Sequence, residues 1–310
     1  MFREDFNSYK SQNPPLSKVL NFNDCKHLLT KQVKEVKVKM NAKAKFGLKP
    51  SKDWKVYELN NNSGLIFIKN PFTVTGQRYW IIRSLRDYTN KPNKLNLDIH
   101  NIIPQNEEFW TFSQKDINVM NKLRWATLGY HHNWDTKVYS ETSKSDFPLD
   151  LASLSQYVAD VLNFSEFRAE AAIVNFYHMN SRLSGHTDHS EQFLEAPLFS
   201  FSFGQTAIFL IGGATIDTKP TALFIESGDI IVMSKESRLC YHGVPKILHA
   251  EVNLLTNDNE EINGEELNCD TLEDCNDSIY WTTFQKYINN CRININVRQV
   301  LRPINSILDS

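Results

Sequence analysis

In LFSFSFG (198–204) three phenylalanines alternate with serines. On an extended chain Phe199, Phe201 and Phe203 share one side, and Leu198, Ser200 and Ser202 share the other. The same period of two returns in RININVR, with Ile293, Ile295 and Val297 on one side and Arg292, Asn294, Asn296 and Arg298 in a row on the other. Such a polar row either faces solvent or lines a polar pocket. Further short runs rich in β-branched and aromatic residues lie at 170–178, 206–213, 221–226, 229–234 and 292–301, separated by Gly, Asp and Pro. The pattern predicts an antiparallel sandwich or barrel, two packed sheets with helices buttressing one side.

SGLIFIKNPFT (63–73) predicts one more short strand, ending at Pro71. Helical spacing governs two stretches: 75–89, with Trp80, Ile81, Leu85 and Tyr88, and 149–163, with Leu151, Leu154, Tyr157, Val158, Val161 and Leu162 on one face. Residues 1–62 read as a Lys-rich helical extension, and 63–310 as the main domain. The fold class expected is α+β with a mainly β core.

Composition narrows the class. Of 310 residues 41% are hydrophobic, enough for a substantial core, and no apolar run is long enough for a transmembrane helix, so no membrane partner is expected. MFREDFNSYK has neither the apolar run of a signal peptide nor the acid-poor, Arg-rich character of a transit peptide. Five scattered cysteines without a Cys-x-x-Cys argue against a disulfide framework or a zinc knuckle and for a reducing compartment. The net charge of -2 hides an uneven distribution: ten lysines against Glu35 and Asp53 between Lys26 and Lys55, and ten acids with no Lys or Arg between Glu251 and Asp277. The basic stretch suits a polyanion such as nucleic acid or a solvated face. The acidic one reads as a partly disordered inserted loop. A monomer is expected.

The candidate chemistry begins in SGHTDHSE (184–191). His186 and Asp188 are two apart, so on a strand or tight turn both side chains point one way and can chelate one ion. A non-haem iron site needs a second imidazole and open positions. His242 in SRLCYHG is the best candidate, because a later strand can return it beside the pair. His189 points to the opposite face of an extended segment and is expected at the pocket rim. O2 activation at such a site needs a two-electron reductant, usually 2-oxoglutarate. Its far carboxylate calls for an Arg, Arg292 first and Arg298 as the alternative. Asn175 and Tyr177, on a shared strand face, would add hydrogen bonds.

NFYHMNSRLSGHTD, SRLCYHG and RININVR occur in the order of the AlkB family's Asn-x-Tyr, His-x-Asp, third-ligand His and Arg-x-Asn-x-Thr/Ser-x-Arg segments, and the chain resembles that family from Arg124 to about Pro303. RWATLGYHHNWD, FSFGQTAIFLIGG and VRQVL are most similar to the eukaryotic homologue 1 branch. The resemblance implies a double-stranded β-helix, or jelly roll, with Fe(II) on His186, Asp188 and His242. It implies 2-oxoglutarate on Asn175, Tyr177, Arg292 and Asn294, with Arg298 nearer the metal. The implied reaction uses O2 to demethylate a base in nucleic acid, N1-methyladenine in tRNA or N6-methyladenine in DNA, releasing formaldehyde and succinate. The alternatives are 5-methylcytosine in tRNA and a methylated histone or other protein. Trp125, Tyr130, His131, His132 and Trp134 fall where the family places its nucleotide-recognition lid. Nucleus, cytoplasm and mitochondrion are all compartments of its relatives. Two departures stand out: Asn296 replaces Thr/Ser, and HMN replaces a Pro-Gly turn.

Overall fold

The computed structural model describes residues 1–24, 31–250, 254 and 267–308. Its strands among these residues are β1 (Val33–Glu35), β2 (Lys55–Leu59), β3 (Leu65–Lys69), β4 (Lys94–Leu95), β5 (Trp125–Gly129), β6 (Ala171–His178) and β7 (Leu183–His186), then β8 (Leu198–Gly204), β9 (Thr206–Ile211), β10 (Thr221–Ile225), β11 (Ile230–Met233), β12 (His242–Leu248) and β13 (Cys291–Arg298). They form two sheets. The larger runs β1-β2-β3-β11-β8-β13-β6-β5-β4 and the smaller β10-β9-β12-β7. From β6 to β13 the chain changes sheet at every step except β9 to β10, the double-sheet order of a jelly roll.

The alternation in LFSFSFG and RININVR decides what each face of the large sheet meets. Phe199, Phe201, Phe203, Ile293, Ile295 and Val297 are fully buried in the main core with Trp80, Leu154 and Trp281. Helices Val74–Ile82, Leu149–Val161 and Ser278–Ile288 carry those three partners. Burying each such side chain stabilises the fold by roughly 1.5–3 kcal/mol. The opposite face looks toward the small sheet, and the polar row of β13 lies there. Helix Val74–Ile82 starts at Thr73, whose hydroxyl accepts the Gly76 N–H at 2.9 Å. It ends in a π-helical turn, Arg83–Asp87.

One expectation is corrected, and a second falls mostly outside the described residues. Among the described residues of 1–62 the α-helix is short, Phe2–Lys10, and β1 and β2 instead extend the large sheet. In VKEVKVK, Val33 of β1 is buried with Tyr57 and Leu59 of β2, and beyond the strand Val36 and Val38 pack on the main core, a spacing of three and then two that makes no single helical face. Strands β2 and β3 pair across residues 62 and 63, so the two stretches share one sheet. Of the acidic segment 251–277, most lies outside the described residues. Its described end holds helix Cys269–Asn276, capped by the Asn268 side chain, with Thr271 and Cys275 buried.

Candidate metal centre

Strand β7 is the edge of the small sheet and its last residue, His186, pairs in register with His242, the first residue of β12. Asp188 follows two residues beyond the strand. One donor atom from each of the three lies within 4.8 Å of the others. Asp188 Oδ1 stands 3.7 Å from His186 Nε2, and Oδ2 stands 3.7 Å from His242 Nε2. These separations are too long for hydrogen bonds and suit two ligands of one ion held at ~2.1 Å each.

Both imidazoles are prepared for that role. His186 Nδ1 donates to the Ser184 carbonyl at 2.9 Å and His242 Nδ1 to the Cys240 carbonyl at 3.0 Å. A carbonyl only accepts, so the proton sits on Nδ1 and each Nε2 lone pair faces the shared point. Burial, and then His186, pushes the pKa of His242 down to about 4, which keeps it neutral. Burial alone would raise the Asp188 carboxyl, but Arg298, His242 and His186 hold it well below the usual carboxylate range. Two imidazoles and one carboxylate on one side of an open cavity fit a non-haem iron ion. Phe2 backs the site: a Cβ at Gly185 would come within 2.6 Å of its ring, so only glycine fits beside His186.

The three side chains open into a cavity of about 720 Å³ between the sheets. The row Arg292, Asn294, Asn296 and Arg298 lines it together with Asn175, Tyr177 and Ser200. Of the two environments left open by alternation, the row therefore takes the pocket. Its two ends differ. Arg292 is 4% exposed, donates to Ser202 Oγ at 2.8 Å, and leaves its Nε without a partner. It forms no ion pair among the described residues, and burial pushes its pKa down to about 10. Arg298 contacts Asp188 at 3.0 Å and Glu191 at 3.1 Å. An unpaired buried guanidinium with a free N–H fits an incoming carboxylate, such as the distal one of 2-oxoglutarate. The structure thus gives the two arginines of one strand face different surroundings.

The lid residues divide. His132 and Trp134 line the cavity, their rings 4.8 Å apart. Trp125 does not line it and instead packs on Trp134 at 5.2 Å. Tyr130 is also outside it, buried beside Tyr139, with its hydroxyl donating to Glu141 and accepting from Lys144. His131 is buried and bonds Thr127 at 2.9 Å. Strand β5 ends at Gly129, whose φ is +68°, and the loop path beyond it decides which rings turn to the cavity. His189 is exposed on the cavity wall.

Residues that the sequence reading missed complete the wall. Lys137, Tyr139, Arg182 and Glu191 line it, and Arg238 lies just behind. Glu191 and Arg238 sit inside SGHTDHSE and SRLCYHG, so a signal was present, but nothing in the spacing says that they meet.

The family model described as the 2OG-Fe(II) oxygenase superfamily matches residues 64–298. Over 267 residues the chain is 42% identical to the nucleic acid dioxygenase ALKBH1 of Mus musculus, covering 82% of this chain and 69% of that protein. It is 31% identical over 283 residues to the DNA N(6)-methyladenine demethylase ALKBH1A of Arabidopsis thaliana, covering 79% and 77%. It is 40% identical over 188 residues to the tRNA demethylase abh1 of Schizosaccharomyces pombe, covering 60% and 55%.

Proposed function

Since the chain belongs to the 2OG-Fe(II) oxygenase superfamily and to its ALKBH1 branch, we propose that it is an oxidative demethylase of methylated adenine in nucleic acid, acting on tRNA, DNA or both. The observation that carries this reading is the pairing, in one cavity, of the His186–Asp188–His242 cluster with the unpaired Arg292. Bound iron(II) and 2-oxoglutarate supply, with O2, the oxidising power that turns an N-methyl group into formaldehyde and leaves succinate and CO2.

The protein's own part is binding, orientation and exclusion of water. His186, Asp188 and His242 would hold the iron. Arg292 would take the distal carboxylate of 2-oxoglutarate, with Tyr177, Asn175 and Asn294 as polar neighbours. Leu198, Ile231 and Met233 give the cavity an apolar wall. Arg298 stays committed to Asp188 and Glu191. His132 and Trp134 offer ring faces on which an extruded base can stack. Exposed Lys137 and Arg182 at the mouth form no ion pair among the described residues and are placed for phosphates. The same cations disfavour a basic histone tail.

The test is mass spectrometry of nucleosides from total tRNA and genomic DNA before and after treatment with the iron-loaded enzyme and 2-oxoglutarate. Loss of N1-methyladenine or N6-methyladenine with stoichiometric succinate is expected. No loss from either, with formaldehyde released from a methylated peptide, overturns the reading.

A further inference from the structure

Asp188 is gripped at both ends by one closed circuit of three hydrogen bonds and one ion pair. Its Oδ2 accepts from Arg298 Nη2 at 3.0 Å, and Arg298 Nε meets Glu191 Oε1 at 3.1 Å. Glu191 Oε2 accepts from Arg238 Nη2 at 2.9 Å, and Arg238 Nη1 donates to the Asp188 main-chain carbonyl at 2.7 Å. The circuit leaves Asp188 by its side chain and returns to its own backbone. Tyr139 adds a donor to Glu191 Oε1 at 3.2 Å, and Arg238 Nε adds a bond to the Ala196 carbonyl at 3.1 Å. Two guanidinium groups face two carboxylates, so the formal charges cancel. The Glu191 and Arg238 side chains are 1% and 2% exposed.

The need for such a device follows from where Asp188 sits. His186 and His242 lie in paired strands, and each is oriented by its own Nδ1–H bond. Asp188 has neither aid, since it stands beyond β7 in the irregular connection to β8. A carboxylate there would be free to choose among side-chain rotamers and to move with the loop. Arg238 comes from the short 3-10 helix Lys235–Leu239, just before β12, and ties that loop to the segment leading to His242. It does not line the cavity, so it is not placed to touch substrate.

We propose that Arg238 and Glu191 are positioning residues that hold the Asp188 carboxylate and its backbone in one orientation, and thereby set how tightly the His186–Asp188–His242 cluster retains its metal ion. This rests on the iron-binding reading above. Loss of partners that orient a metal ligand typically weakens metal binding by about 10–100-fold.

The test is a Co(II) titration of the metal-free protein followed by visible absorption, with melting of each metal-free variant recorded in parallel. The wild type is expected to bind one equivalent. Glu191→Gln and Arg238→Lys should each weaken Co(II) binding by about tenfold, since each keeps only part of the circuit. The pair Glu191→Leu/Arg238→Met removes both charges together, which spares the core an unpaired ion if a single variant fails to fold. It should bind Co(II) about 10–100-fold more weakly while melting, metal-free, within a few degrees of the wild type. Wild type that binds no Co(II) overturns the iron reading itself. Wild type that binds, with the paired variant binding equally tightly, overturns the positioning role alone. A paired variant whose Co(II) affinity falls only in step with its melting temperature also overturns it, since that marks a merely structural contact.

Discussion

The two ends of β13 carry the same residue on the same face of the same strand, yet the fold treats them oppositely. Arg298 meets two carboxylates and is saturated by the protein. Arg292, six residues earlier, has one hydroxyl and one carbonyl for company and a buried Nε with no partner. Burying a guanidinium without a counter-ion costs stability, and a protein keeps such a group where a ligand will neutralise it. One end is therefore part of the frame, and the other is built to receive an anion.

Substitution at the two ends should give opposite signatures. Arg298→Gln leaves Glu191 and Asp188 short of a partner in a buried setting and should destabilise the fold by about 3–5 kcal/mol, read by chemical denaturation. A loss below 1 kcal/mol would erase the contrast. Arg292→Gln should instead raise the KM for 2-oxoglutarate by about 10–100-fold, because a charge-assisted pair is lost, with Co(II) affinity unchanged. The ligand-free Arg292→Gln protein should melt no lower than the wild type, since an unpaired buried charge has gone. A clear drop in its melting temperature would mean that Arg292 belongs to the frame as well.

Between about pH 6.5 and 4, acid sensitivity should come from buried and half-buried histidines rather than from either end. His131, behind the lid, has its pKa pushed down to about 4, mainly by burial and then by Lys94. The unfolded chain binds that proton near pH 6.5. Its contribution to stability is therefore complete above about pH 6.5 and is lost as pH falls toward 4. His131→Gln should reduce the slope of the stability profile across that window by its own share, measured by melting at stepped pH. An unchanged slope would place the sensitivity elsewhere. The smallest effect is expected midway along the row. Asn296 Nδ2 donates to Asn294 Oδ1 at 3.1 Å, and Asn296→Thr should shift the 2-oxoglutarate KM by no more than about threefold, the worth of roughly one neutral hydrogen bond.

The legible part of the molecule was the part governed by local period. LFSFSFG has the boundaries and faces that alternation implies, RININVR has the faces but its strand stops at Arg298 short of residue 301, and helix Leu149–Val161 buries Leu151, Leu154, Val158 and Val161 as its spacing implies. The N-terminal stretch misled because its loosely spaced lysines and valines make no single helical face, and packing against β2 chose the strand. Strand β12 was obscured by Pro245, which cannot donate to the ladder and sits where the pairing with β9 shifts register. The lid was misjudged at Tyr130, because which rings of an aromatic run turn inward depends on the path of a loop.

The sequence alone determined the donor types, their order, the strand faces and the family, since these are properties of side-chain chemistry and short-range geometry. Only the tertiary structure decided that Arg292 is unpaired while Arg298 is not, that Trp134 rather than Tyr130 reaches the cavity, and that Glu191 and Arg238 close on Asp188. Each of these depends on which groups from distant segments arrive within about 3 Å of one another, the range at which hydrogen bonds and contact ion pairs form.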